Sequence, residues 1–186
     1  PLPRTLRSTT VQIGGSAIPL NYVSPTQINA QLPTDLPAGP ARLTVNPGTG
    51  QTATANFLVA TAGPGIFTYG QDRAVATHAD GALVTPESPA ERGETIIVYL
   101  TGIGPVAPSP AAGEASGVDP LSRATLPYSA SIGRRPAAVD FLGLTPYLVA
   151  LAQANIRVPD DAPSGDQPVV VTVGSAASNA PLLRVR

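Results

Sequence analysis

One histidine, two adjacent aspartates and a few tyrosines are the residues of this chain whose types could do chemistry. His78 is the sole imidazole, so any Ser-His-Asp charge system would have to use it. No G-x-S-x-G turn is present to present a serine nucleophile. His78 instead stands two residues before an Asp80-Gly81 pair, where a polar residue flanking a hairpin turn is the expected role. Asp160-Asp161 is the only adjacent carboxylate couple that could share acid and base work. It lies between Pro159 and Pro163, and Asp35 holds the matching place earlier in the chain, so turn formation accounts for both positions. Calcium would need Asp160, Asp161 and Asp166 plus backbone carbonyls, and no D-x-D-x-D-G loop supports that. We therefore expect no catalytic residue, no metal and no cofactor, and read the protein as a non-enzyme.

Binding surfaces are next. Arg134-Arg135 is the only basic pair, and the net charge is −1. Phosphate backbones would find little to hold, so no nucleic-acid partner is expected. Flat glycan sites use exposed aromatic rings. Tyr69, Tyr128 and Tyr147 are the candidate sugar contacts, although Trp is absent and aromatics make up only 4% of the chain. Tyr22 and Tyr99 sit inside apolar alternation and read as core or sheet-edge residues.

The elements that must position these residues are strands. The hydrophobic share of 42% is enough for a core, while the 18 Gly and 22 Pro are scattered between apolar runs, as turns between strands would be. No segment sustains a helical stripe for three turns; "YLVALAQA" (147–154) reads as a strand or a short turn of helix leading into one. Strands are expected near 9–13, 17–23, 27–32, 41–46, 54–60, 65–69, 73–78, 82–85, 94–101, 128–133, 136–142, 148–158, 168–173 and 181–185. Cysteine is absent, so packing alone must hold the fold. No run of 18 apolar residues marks a membrane span, and no membrane insertion is expected. The opening "PLPRTLRS" carries no signal-peptide pattern and reads as an internal start.

The chain repeats itself. "IGGSAIPLNYV" (13–23) aligns with "IGRRPAAVDFL" (132–142), and "QINAQLPTDLPAG" (27–39) with "QANIRVPDDAPSG" (153–165). Order, spacing and turn residues agree together, which implies two related β-modules, residues 1–60 and 61–186, the second opening with a hairpin extension. The linker "VATAGPG" (59–65) is short enough to hold them nearly fixed. The strand "ETIIVYLTGIGPV" (94–106) precedes the second copy, and nothing equivalent precedes the first. Module one should therefore lack a lateral strand. Its candidate acceptor edge is Val11, Ile13 and Phe57. Two outcomes follow: a strand supplied from outside residues 1–186, by an upstream part of a parent chain or a neighbouring subunit, or an edge left to fray in solvent.

"YVSPTQINAQLP", "GPGIF" (63–67), "YLTGIGPV" (99–106) and "IRVPDDAPSGDQPVVVTVG" together resemble a C-terminal domain family found in large secreted proteins of Solibacter and other acidobacteria. The resemblance covers nearly the whole chain. It implies an all-β fold of two tandem immunoglobulin-like (TIG-type) sandwiches, the first lacking an N-terminal strand, in an extracellular or cell-surface setting. The function expected is structural: display, assembly or adhesion, with protein partners. A carbohydrate-binding module, with a polysaccharide partner, is the alternative.

Overall fold

The computed structural model describes residues 1–186 and is all-β, with no helix. The first six strands are β1 (Thr10–Ile13), β2 (Ser16–Ala17), β3 (Leu20–Val23), β4 (Ile28–Ala30), β5 (Gly39–Asn46) and β6 (Ala53–Val59). Four of them form an antiparallel sheet in the order β2-β1-β5-β6, and β3 and β4 form a separate hairpin. A small core of Val11, Ile13, Ile18, Leu20 and Val23 lies here, with Ile28, Leu43, Val45 and Phe57 packed against it.

The remaining strands begin with β7 (Gly65–Ile66), β8 (Thr68–Tyr69), β9 (Arg73–Ala74), β10 (Ala76–Thr77), β11 (Thr95–Thr101), β12 (Val106–Ala107) and β13 (Arg123–Ala124). They continue with β14 (Tyr128–Ile132), β15 (Arg135–Ala137), β16 (Val139–Leu144), β17 (Ala152–Arg157), β18 (Gly165–Val173), β19 (Ala176–Ala177) and β20 (Leu182–Val185). One sheet runs β10-β11-β17-β16-β13-β12, with β7 also on β11; the other runs β15-β14-β18-β20-β9-β8, with β19 also on β18. Inward residues of both sheets build one core, in which Ile96, Val98, Leu100, Ile156, Val169 and Val171 are fully buried. β11 and β17 alternate their burial along their length, as a pleated ribbon with one dry face must.

The internal repeat is structural as well as sequential. β14, β15, β16, β17, β18 and β20 reproduce β1 to β6 in order and in pairing. Both β1-β2 and β14-β15 turn on two residues with positive φ, Gly14-Gly15 and Gly133-Arg134, the twist that suits a tight hairpin. Even the irregularity recurs: the β3-β4 register slips between Leu20 and Tyr22, and the β16-β17 register slips at the matching Val139 and Phe141. Carrying the alignment back from Ile13 and Ile132 sets Pro1, Leu2 and Arg4 on Pro120, Leu121 and Arg123.

The glycines of "YLTGIGPV" (99–106) also find a physical role against the linker. Gly102 and Gly104 both have positive φ. A Cβ on Gly102 would stand 2.0 Å from the Gly63 carbonyl oxygen, and one on Gly104 2.8 Å from that of Thr61. Only glycine lets the 61–64 backbone lie this close, and Gly63 N–H donates to the Gly102 carbonyl at 2.9 Å. A second tie comes from the Pro-rich loop after β12. Leu2 N–H donates to the Gly113 carbonyl (2.8 Å), and Gly113 N–H donates to Gln31 Oε1 (2.7 Å).

The strands expected over 17–23, 65–69, 73–78 and 136–142 are each broken into two short ones, and three further expected strands differ. Residues 145–151 turn instead of extending, so the strand expected at 148–158 starts at Ala152; Thr145 N–H closes that turn on the Leu151 carbonyl. Residues 82–85 make only an isolated bridge, Thr77 to Leu83. The strand expected over 27–32 covers only Ile28–Ala30, for want of a partner on its far side.

Core truncations should separate the two halves. Leu100→Ala, at a fully buried position, is expected to cost about 2–5 kcal/mol. Leu32→Ala, at a half-exposed position, should change stability by no more than about 0.5 kcal/mol. Urea unfolding of each variant checks this; equal losses would show that Leu32 is covered in solution.

Candidate functional site: an open sheet edge

The hairpin β3-β4 has one wet and one dry face. On the wet face Gln27 Nε2 donates to Asn29 Oδ1 at 2.7 Å, and in the second copy Gln153 Nε2 donates to Asn155 Oδ1 at 3.0 Å. This shared side-chain ladder explains why the Gln-x-Asn pattern is written twice. On the dry face the copies part company. Ala154, Ile156 and Val158 are completely buried, whereas Ile28 is half-buried and Ala30 exposed. Leu32, in the place of Val158, is 48% exposed. Behind them Leu43, Val45 and Phe57 are half-buried where Val169, Val171 and Leu183 are fully buried.

One segment makes the difference. In the second copy β11 lies antiparallel against β17, with Ile96 opposite Ile156, Val98 opposite Ala154 and Leu100 opposite Ala152. Just before it, Val158 N–H donates to the Glu94 carbonyl and Gly93 N–H to the Val158 carbonyl, each at 2.8 Å. Earlier still, Arg186 N–H donates to the Ala90 carbonyl at 2.9 Å, so the same segment closes β20 and then β17. Nothing in the first copy plays this part. The N–H and C=O of Leu32 and the N–H of Ala60, which match Val158 and Arg186, make no hydrogen bond within the chain. β4 has β3 on one side and no strand on the other, and β6 has only β5. Beside Ile28 a groove of about 460 Å³ opens, with Val23 and Val45 among its lining and Arg7, Thr9 and Ser24 at its polar side. An edge of this kind, apolar and with unpaired backbone groups, is primed to accept a strand.

The residues expected at the acceptor edge fall differently. Val11 and Ile13 belong to β1, which is flanked by both β2 and β5 and is interior to its sheet. Their alternation showed a buried strand, but not which neighbours it has. Phe57 lies on β6, which is an open edge. The residues that line the gap, Ile28, Ala30, Leu32 and Ala60, were identifiable only by comparing each with its partner in the second copy.

The tyrosines do not gather into one platform. Tyr128 on β14 and Tyr69 on β8 are separated by β18, β20 and β9, roughly 19 Å at ordinary strand spacing. Tyr69 spends its hydroxyl on the Val84 carbonyl (2.9 Å). Tyr147 is 75% exposed in the 145–151 turn. A shallow apolar depression of about 510 Å³ lies nearby, lined by Phe67, Val75, Tyr99, Leu148 and Leu151. Tyr22 is exposed, not a core residue. Carboxylates are occupied by arginines: Asp166 takes a two-point bond from Arg73 (2.9 and 3.1 Å) and a third contact from Arg184, while Asp161 faces Arg135. The Arg73 bond holds the Asp166 carboxyl below its ordinary range.

His78 flanks its turn as expected, accepting Gly81 N–H on its carbonyl, and it also joins a cluster that the sequence did not reveal. Its Nδ1 lies 2.6 Å from Glu94 Oε1, and its Nε2 lies 3.3 Å from Ser88 Oγ and 3.2 Å from the Ser88 carbonyl oxygen. The order of contacts is that of a serine, histidine and carboxylate charge system. Ser88, however, stands on an exposed turn closed by its own bonds to Thr85, and neither groove described above includes it. The cluster ties β10 and the 85–88 turn to the start of β11. The hydrogen bond to Glu94 raises the His78 pKa above its ordinary 6.5, with burial opposing and the Ser88 carbonyl adding.

No family model, no curated protein and no solved structure matches this chain.

The cluster has a pH signature. A raised native pKa means that its stabilisation is complete below the unfolded imidazole value of about 6.5 and is lost as pH rises through the native value. Urea midpoints should therefore fall across that window, and Glu94→Gln should flatten the fall. An unchanged slope in Glu94→Gln would assign the pH dependence elsewhere.

Proposed function

We propose that this protein is an extracellular or cell-surface structural module, without enzymatic activity, that serves display, assembly or adhesion. In this reading it comprises two tandem immunoglobulin-like sandwiches of TIG type, residues 1–60 and 61–186, the first incomplete. Its resemblance to the C-terminal domains of secreted acidobacterial proteins belongs to the same proposal. The observation that carries it is the contrast between Leu32, half exposed with both backbone groups unpaired, and Val158, fully buried with both paired. A chain that repeats a sandwich and leaves one copy open at the same edge is built to be joined to something. Protein is the partner this favours, because what is missing is a strand.

Several features support a passive scaffold. Asp160, Asp161 and Asp166 each face an arginine, and the candidate glycan rings are dispersed. Carbohydrate recognition, the alternative, would have to rest on Tyr147 and the neighbouring apolar depression.

A glycan array and a panel of polymer and ester substrates distinguish these readings. The purified chain is expected to show no saturable glycan binding and no turnover. Binding abolished by Tyr128→Ala or Tyr147→Ala would make the protein a carbohydrate-binding module. Turnover abolished by Ser88→Ala or His78→Gln would make it a hydrolase.

A further inference from the structure

The second copy specifies what the first one lacks. The inference rests on the structural reading above and concerns the chemistry of the missing partner. The groups left free in the first copy are those that a single continuous segment, Ala90–Leu100, satisfies in the second. Transposed onto the first copy, the Ala60 N–H would meet a carbonyl in the place of Ala90's, as the Arg186 N–H does. The Leu32 N–H and C=O would meet a carbonyl and an N–H in the places of Glu94 and Gly93. Continuing along β4, the partner positions matching Ile96, Val98 and Leu100 fall opposite Ala30, Ile28 and Thr26. Those three face the core, and the positions between them face outward over Gln27, Asn29 and Gln31.

The geometry points to a specific occupant: one extended peptide segment, antiparallel to β4, that first touches β6 beside Ala60 and then runs along β4 from Leu32 to Thr26. Its chemistry is set by the wall it must complete. Over β4 it places large aliphatic residues at the three inward positions, as Ile96, Val98 and Leu100 do in the second copy, whereas the outward positions, Ile97 and Tyr99 there, stay half-buried and are not restricted in the same way. The residue opposite Ile28 takes the place of Val98, which is fully buried in the second copy, and it faces the groove that Val23 and Val45 help to line, so it is aliphatic. Ahead of this run the place of Ala90, fully buried in the second copy, takes a small apolar residue, and the place of Gly93 takes a small one as well. There a Cβ would approach within 3.0 Å of an Asp160 side chain in the second copy, at a positive φ that glycine adopts most easily. A polypeptide strand of this pattern is the occupant; a glycan or a lipid offers neither the alternating N–H and C=O nor the alternating side chains.

The test uses the whole chain and a synthetic peptide with the sequence of residues 90–102, AERGETIIVYLTG. Titration calorimetry should give saturable one-to-one binding, and hydrogen exchange should show new protection confined to residues 28–32 and 58–60. A peptide with serine in place of Ile96, Val98 and Leu100 should bind at least tenfold more weakly, whereas serine in place of Ile97 should change binding less than threefold. Leu32→Pro removes the free N–H without breaking any bond made in the chain, and it too should weaken binding about tenfold, with the unfolding transition unchanged. Absence of binding at millimolar peptide, protection located elsewhere, or equal binding of the peptide with its three inward residues replaced by serine would overturn the inference. These outcomes are separable from the fate of the functional reading. Glycan binding or turnover would overturn that reading while leaving the peptide result intact, and absence of peptide binding would overturn this inference alone.

Discussion

A β-strand at a sheet edge carries a row of N–H and C=O groups that must bond to something, and a two-layer sandwich has an inner face that must be covered along its whole width. In the second half of this protein both demands are met by one stretch, from Ala90 to Leu100. It bonds to β20 at Ala90, crosses to bond Val158 through Gly93 and Glu94, and then runs the length of β17. Four of its side chains, Ala90, Ile96, Val98 and Leu100, are fully buried in the core. The paired core of Ile156, Val169, Val171 and Leu183 is dry because this segment seals one side of it.

The first half shows what the same scaffold looks like without the seal. Its hairpins, its bulge and its Gln-Asn ladder are those of the second copy, so local structure does not depend on the missing segment. Burial does. Leu43, Val45 and Phe57 remain half open, and β4 pairs over three residues where β17 pairs over six. The first copy keeps a core of five buried residues against 23 in the second; by area alone the smaller cluster contributes much less to stability. Its attachment to the larger half, through Gly63, Gly102, Gly113 and Gln31, offsets part of that deficit.

Much of this was readable in the residues. The all-β class follows from short apolar runs punctuated by Gly and Pro, and the repeat was visible because turn residues and spacing agree between copies. The Asp80-Gly81 turn and the placing of His78 beside it follow from local chemistry. The strand expected at 148–158 was misjudged at its start because "YLVAL" is apolar enough to extend, whereas Tyr147 and Ala150 adopt positive φ and turn the chain. The Ser88, His78 and Glu94 contact was not readable. Its members come from a hairpin end, a turn and a strand start, and nothing in their spacing sets the angles between those elements.

The amino-acid sequence by itself determined periodicities, turns and the existence of two copies, because these depend on neighbours within a few residues and on side-chain type. It also shows that residues 1–60 hold no counterpart of β11. Which edge that absence leaves open was decided only by tertiary structure. Val11 and Ile13 alternate as well as any strand, yet β2 and β5 enclose them, while the exposed edge falls to Ile28, Ala30 and Leu32 on a hairpin whose sequence looks equally regular. Alternation records which face of a strand is buried. It does not record which strands lie beside it, since backbone hydrogen bonding between strands is blind to side-chain identity and is settled by how the whole chain closes on itself.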